Sequence, residues 1–451
     1  MKWSKYALAA ALFGALGMTP AWGQDPGGFY YTAQDANPAS PSDAAASMDM
    51  SMMMAEEAPA EEEAEEEDEG PLRLFPQGEH CWNLYGWLNV GYAANNFSRP
   101  PVNFNGPITF YDRNREFSGN QAYAVLEKKI APEECCWDFG GRVDYLYGWD
   151  ARFTTEVGWE LDTAGGTRWN GANAYYGSAI PQAYGEAGIG DWSFKAGRFY
   201  TLIGYEGVMA PVNFFPTHAY TMQYGEPFTH TGALATKKIN DQLTATGGVV
   251  NGWDAFDRSQ DQASAIGGFT WVNCEGNFTL ATYGIVGNER LGAGTADDRY
   301  ANRWMYSIVG TYVINDCWTY VIQHDNGYQD VAQVAAGAAP AQGAEWYGLN
   351  QYLFRTINDC WKLGARGEIF RDDDGFRVAA VHPQNPMGGG YAGNFYEVAL
   401  GANWTPNKNL VVRPEVRFDW YDGPVGANGT QPFGVNSSSQ TTFVIDAILH
   451  Y

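Results

Sequence analysis

The sequence predicts an all-β protein: a transmembrane antiparallel β-barrel of sixteen strands, with fourteen or eighteen as the neighbouring counts. Three observations carry this. From residue 82 onward the chain divides into runs of about ten residues whose connections alternate short and long, as in a barrel with tight turns at one end and long loops at the other. Within the better runs apolar and charged residues alternate with a period of two, which fits a strand between two unlike media. After the N-terminal leader no stretch reaches the roughly 18 uninterrupted apolar residues of a spanning helix. A chain of this kind can satisfy its backbone in lipid only as a closed barrel.

The N-terminus is that of an exported protein. Lys2 and Lys5 precede the apolar run 6–18, and Ala21 and Gly23 place small residues before Gln24, so residues 1–23 form a signal peptide. Residues 24–80 form an acidic periplasmic arm. Fourteen of the 52 Asp and Glu, but none of the 27 Lys and Arg, lie between residues 24 and 70, and large apolar side chains are too few there to offset the entropy of ordering, so disorder is expected. Met48, Met50, Met52, Met53 and Met54 offer thioether sulfur to a soft ion, although a polyanionic spacer touching basic groups of the cell wall is the leading reading. Residues 81–451 are the barrel.

The sixteen strands are expected to start near Trp82, Asn120, Trp137, Gln182, Trp192, Glu226, Leu243, Ala263, Asn277, Arg303, Trp318, Glu345, Trp361, Asn394, Leu410 and Gln440. Short connections fall at residues 131–136, 190–191, 237–242, 273–276, 315–317, 358–360 and 406–409. Long ones fall at 93–119, 150–180, 201–224 and 371–393, among others. This segregation puts both termini on the short-turn, periplasmic side.

Alternation assigns the faces. After Pro406, Leu410, Val412, Pro414, Val416, Phe418 and Trp420 are expected to meet lipid, while Val411, Arg413, Glu415, Arg417 and Asp419 meet water. Leu363, Ala365, Gly367 and Ile369 likewise oppose Lys362, Arg366 and Glu368. The stretches 121–129 and 279–287 are ambiguous. At the C-terminus, Phe443, Ile445, Ala447, Leu449 and Tyr451 alternate with Thr442, Asp446 and His450. This resembles the insertion signal that the barrel-assembly machinery reads in bacterial outer-membrane barrels, and the strand is expected to pair with the first.

Cys81, Cys135, Cys136, Cys274, Cys317 and Cys360 all fall at the short-turn end, and four are followed by Trp, as an aromatic belt at the headgroups would be. In an oxidising compartment pairing is expected, Cys81 with Cys135 or Cys136 and Cys274 with Cys317, among the 15 connectivities that six cysteines allow. A zinc site is the alternative, disfavoured because no pair is separated by two residues and no His accompanies them. No metal or cofactor is expected.

The runs FKAGRFYTLIGYEGVMAPVNFF from Phe194, YGEPFTHTGALAT and GGVVNGWDAFDR, with NNFSRPPVNFNGPITFYDRNREFSGNQAY at residues 95–123, resemble the OmpL-like β-barrel porins of planctomycete-type bacteria. The resemblance spans residues 82–451 and implies a pore-forming outer-membrane protein. Independently, the third long loop, rich in Gly, Pro and aromatics, suggests a packed segment. The arrangement is similar to that of general porins, whose third loop folds inward. Here Glu206, His218 and Glu226 would then face a wall bearing Lys362, Arg366, Arg413 and Arg417, giving a transverse field at a constriction. Pairing of these charges along the strands is the alternative.

An enzyme is not expected, since the six histidines sit in no nucleophile–base motif and no phosphate loop is present; His230 is expected to hydrogen-bond inside the barrel. Nucleic acid is excluded by the acidity of an exported chain. The expected function is passive diffusion of ions and small hydrophilic solutes through an outer-membrane porin, with outer-membrane lipid and a homotrimer as partners. The competing function is a structural, envelope-anchoring barrel with a closed pore. Trp169, Tyr175 and Tyr176 are candidates for a sugar contact.

Overall fold

The computed structural model describes residues 82–96, 104–162, 166–171, 175–257, 262–291, 299–330, 343–378, 390–425, 430–435 and 437–451. The expected signal peptide, the expected acidic arm with its methionines, and Cys81 lie outside the described residues. The strands are β1 (Asn83–Asn95), β2 (Glu116–Lys128), β3 (Asp138–Gly148), β4 (Gly177–Ala179), β5 (Ala183–Ile189), β6 (Trp192–Tyr200), β7 (Thr229–Lys238), β8 (Leu243–Val250), β9 (Ser264–Val272), β10 (Phe278–Leu291), β11 (Arg299–Asn315), β12 (Trp318–Gln329), β13 (Ala344–Asn358), β14 (Trp361–Asp372), β15 (Gly393–Asn407), β16 (Leu410–Asp422), β17 (Thr430–Gln431), β18 (Gly434–Val435) and β19 (Ser439–His450). β4 and β5 both pair with β3 and are one barrel strand interrupted at Pro181, which has no N–H for the ladder. β17 and β18 form a hairpin of their own. The remainder is a closed, antiparallel, sixteen-stranded barrel.

Each expected strand is present. The largest displacements are at the interrupted strand β4–β5, which starts at Gly177 and not Gln182, and at β2 and β11, which start at Glu116 and Arg299; all three extensions run toward the long-loop end, where the pairs Gly148↔Gly177, Ala93↔Glu116 and Leu291↔Arg299 continue the ladder. Closure is by β1 on β19, with Leu88 opposite Leu449. The last residue completes it: Gly86 N donates to Tyr451 O (2.9 Å), Tyr451 N to Gly86 O (3.0 Å), and the Tyr451 hydroxyl to Tyr123 O (2.9 Å). A Cβ at Gly86 would lie 2.0 Å from Tyr123 O, so only glycine permits this approach.

The outward face is apolar and exposed. Leu88, Val90, Phe117, Leu363, Leu400, Val416, Phe443, Ile445 and Leu449 all point out. Near the short turns Trp82, Trp137 and Trp361 of the expected belt are exposed and Trp318 is half-buried; the exposed Trp192 and Trp404 extend it, Trp361 stacking on Trp404 at 5.9 Å. The inward face departs from expectation. Arg413, Glu415, Arg417 and Asp419 point inward as alternation requires, but they are at most 2% exposed. They meet protein instead of water, because loop segments pack onto them. The same packing explains the two ambiguous stretches. Tyr123 and Val125 of β2, and Ala281, Tyr283 and Ile285 of β10, face inward and are buried, so both faces of these strands are apolar.

Candidate functional site

The segment 201–228, between β6 and β7, is packed against inward-facing residues of β2, β12, β13, β14 and β16. Its shape is fixed locally by Gly204 (φ +95°), where a Cβ would fall 2.0 Å from Glu226 Oε2. The 3-10 turn Ala210–Val212 has Pro211 in its first turn, where a missing N–H costs nothing, and the π-helical turn Thr221–Gly225 follows.

Buried ion pairs and hydrogen bonds hold it. Arg366 on β14 meets Glu206 of the loop at 2.7 Å and Glu397 at 2.9 Å, and donates to Thr217 O at 2.8 Å. Glu206 also accepts from the Ala219 amide (2.9 Å) and the Tyr352 hydroxyl (3.1 Å), and lies 3.2 Å from His218 Nδ1. Glu415 accepts from Thr217 N (2.9 Å), and Glu368 accepts from the amides of Tyr220 and Thr221 (both 2.6 Å). Arg417 pairs with Asp419 (2.8 Å) and donates to His218 O. Arg413 pairs with Asp446 (2.6 Å) and donates to Ala210 O (2.9 Å). Burial would raise the Glu206 carboxyl, but Arg366, His218 and the Ala219 amide hold it down at about 2. Burial lowers His218, which favours a neutral ring donating from Nδ1.

On β2 a bulge opposite Asn89/Val90 turns both Asn120 and Gln121 inward. Gln121 then donates to Val208 O (2.7 Å) and accepts from Ala210 N (3.0 Å), anchoring the loop from another side. Glu226 accepts from Gln323 on β12 (2.6 Å), whose amide also donates to Asp325 (2.9 Å).

Of the residues singled out in the sequence, Glu206, His218, Arg366 and Arg417 therefore belong to one network, Arg413 to an adjoining one, and Glu226 to a third. Lys362 lies on the inward face of β14, four residues nearer the short-turn end than Arg366, and is half-buried. The loop acid and the wall arginine expected to face each other across an opening are in contact, because the loop rests on that wall. The docking roles of Gln121, Tyr352 and Asp446 escaped the sequence reading; neutral partners leave no charge pattern, and Asp446 meets Arg413 across a strand pair 33 residues apart.

The interior also holds an apolar cluster. Leu202, Ile203, Tyr220 and Tyr224 of the loop, Trp253 and Val378 of other loops, and the wall residues Leu234, Ile266, Tyr283, Met305, Phe370 and Phe395 are all buried in it. Toward the short turns the inward face opens, with Thr244, Thr270, Thr319, Thr356, Lys362 and Asn403 only half-buried. His230 is buried, with Nδ1 2.9 Å from Gly252 O and Nε2 3.0 Å from Thr201 Oγ1, so both ring nitrogens are engaged inside the barrel. Tyr175 packs on Trp149 (5.1 Å) and under Arg113, whereas Trp169 packs on Trp159 (5.7 Å); with Tyr176 they do not form one platform. The described cysteines, Cys135, Cys136, Cys274, Cys317 and Cys360, are exposed free thiols, so the expected Cys274–Cys317 bridge is not formed. Cys274 and Cys317 occupy separate turns; neighbouring turns are two strand spacings, about 10 Å, apart, beyond the reach of a disulfide.

A protein family described as "Putative beta-barrel porin-2, OmpL-like" matches residues 82–451. Among solved structures the chain is similar to the outer membrane channel DcaP of Acinetobacter baumannii (TM-score 0.50, 14% identity, covering 82% of this chain and 97% of that one). It is also similar to OmpT, an outer membrane protein of Vibrio cholerae (TM-score 0.52, 12% identity, 83% and 99% covered), and to the anion-selective porin from Comamonas acidovorans (TM-score 0.51, 9% identity, 82% and 99% covered). At these identities the likeness is one of fold. No curated protein matches the chain.

Proposed function

Because the chain belongs to the OmpL-like β-barrel porin family, and so to the bacterial outer membrane, we propose that it passes ions and small hydrophilic solutes by diffusion through a barrel narrowed by its third long loop. The observation that carries the narrowing is the set of buried contacts from residues 201–228 to β2, β12, β13, β14 and β16. The solute path runs where the inward face opens toward the short turns, past Thr244, Thr270, Thr319, Thr356, Lys362 and Asn403. On β7 to β9 the inward wall carries Thr236, Thr246, Thr270 and glycines in place of charge. Selectivity is therefore not set by Arg366, Arg413 and Arg417, whose charge is neutralised at contact distance. The outward Phe443, Ile445 and Leu449, ending at Tyr451, support lipid contact and recognition by the assembly machinery. A homotrimer and cell-wall contact through the acidic arm complete the proposal.

The test is single-channel recording of the mature protein in a planar bilayer across a salt gradient. Stepwise conductance supports the porin reading. A silent membrane, from protein whose heat-modifiable gel mobility shows a folded barrel, would sink it. That result would support a closed structural barrel, the reading favoured by the apolar cluster across the interior.

A further inference from the structure

The turn between β2 and β3 gathers donor atoms that no part of the porin reading uses. Residues 133–136 form a tight turn closed by an isolated antiparallel bridge between Glu133 and Cys136. A turn of this kind brings its first and fourth residues side by side. The adjacent Cys135 and Cys136 do not diverge as they would in an extended strand; their Sγ atoms are 3.4 Å apart. A Glu133 carboxylate oxygen and both sulfurs lie within 4.8 Å of one another, and all three side chains are exposed. The neighbouring β5–β6 turn braces the group, Gly190 N donating to Glu133 O at 2.9 Å.

We propose that Glu133, Cys135 and Cys136 form a zinc site on the periplasmic rim of the barrel. Two thiolates at Zn–S distances of about 2.3 Å on a tetrahedral ion stand about 3.8 Å apart, close to the spacing present, whereas a disulfide needs about 2.0 Å. The carboxylate decides between soft ions: Cu(I) prefers sulfur alone, while zinc takes carboxylate oxygen with thiolate. The fourth position faces solvent and holds water. Binding is a proton exchange in which one Zn²⁺ replaces the two thiol protons, which go to buffer, with no change of oxidation state. Among the described residues no other turn assembles three such donors. Cys274, by contrast, meets the Gln242 side-chain amide at 2.8 Å, and Cys317 and Cys360 each stand alone in their turns.

The test uses full-length protein folded in detergent micelles with its thiols reduced, Co(II) as the spectroscopic probe and Zn(II) as competitor. The expected result is one equivalent of cobalt with a thiolate-to-cobalt charge-transfer band, bleached by zinc. The band should vanish in Cys135→Ser and in Cys136→Ser, and persist when Cys81, Cys274, Cys317 and Cys360 are all changed to Ser. Glu133→Gln should keep the band but weaken cobalt binding by about tenfold or more, at least what an outer-shell partner contributes. Heat-modifiable mobility reports the fold of each variant independently of metal. No band, a band that survives loss of Cys135 and Cys136, binding unaffected by Glu133→Gln, or a Cys135–Cys136 disulfide in metal-free protein as purified would each overturn the assignment.

Discussion

The two sides of the barrel interior differ in kind. The inward faces of β13 to β16 and β19 carry Asn350, Arg366, Glu368, Glu397, Arg413, Glu415, Arg417, Asp419 and Asp446, almost all within reach of the segment 201–228 or of each other. The inward faces of β7 to β9 carry Leu234, Thr236, Thr246, Ile266, Gly268 and Thr270, with no buried ion pair among the described residues. Charge thus marks where the loop is fastened by ion pairs, whereas the neutral side meets it through apolar contact, Leu202 and Ile203 lying in one cluster with Leu234 and Ile266. Buried charges tolerate desolvation only when paired and hydrogen-bonded, so the charged wall needs the loop as much as the loop needs the wall.

The severest way to break this contrast is Arg366→Ala, which leaves Glu206, Glu397 and Glu415 without their shared guanidinium. Stranding a buried partner costs about 3–5 kcal/mol. The expected outcome is a lowered temperature for the gel-mobility shift and a larger, noisier conductance as the loop detaches. Unchanged conductance with unchanged mobility would show that the loop does not limit flow. A charge on the opposite side sharpens the comparison: Thr270→Arg is expected to move the reversal potential toward anion preference while changing stability by only about 1 kcal/mol. An unmoved reversal potential would place the path elsewhere.

Acid titration is a gentler probe. Because the folded Glu206 carboxyl is held at about 2, below its unfolded value, its contribution is complete above the unfolded pKa and is lost only as pH falls through about 2. Loss of the Glu206–Arg366 contact should appear as unstable conductance nearer pH 2; a transition near 4.5 that Glu206→Gln abolishes would mean that Arg366 does not hold the loop. Glu156, in the loop after β3, has the opposite sign. Burial pushes it up to about 7 despite Arg198, so its ionisation opposes folding increasingly as pH rises from the unfolded pKa through 7. Glu156→Gln should raise the unfolding temperature at pH 8 and leave it nearly unchanged at pH 4. This is the smallest effect expected, since Arg198 also meets Glu160 at 2.6 Å.

Much of the architecture is legible in the sequence. Strand starts, the sorting of short turns from long loops, the closure of β19 on β1 and the outward set around Val416 all follow from a period-two pattern and turn residues, properties of neighbours in the chain. The interior could not be read the same way. A strand's inward residue is polar beside water and apolar or charge-paired beside a loop, and which of these applies depends on where a segment distant in sequence comes to rest. For that reason Tyr123 and Tyr283 blur the alternation, and Arg413, whose position in the pattern points to water, meets Ala210 O and Asp446.

The sequence by itself therefore determined the barrel and, to within two, its strand count, because backbone hydrogen bonding in lipid permits so few solutions. Only the tertiary structure decided that Glu206 touches Arg366, that Leu234 and Ile266 share an apolar cluster with Leu202 and Ile203, and that Glu133 turns back onto Cys135 and Cys136. Each of these depends on contacts a few ångströms across, set by loop packing and turn geometry, that residue spacing along the chain does not encode.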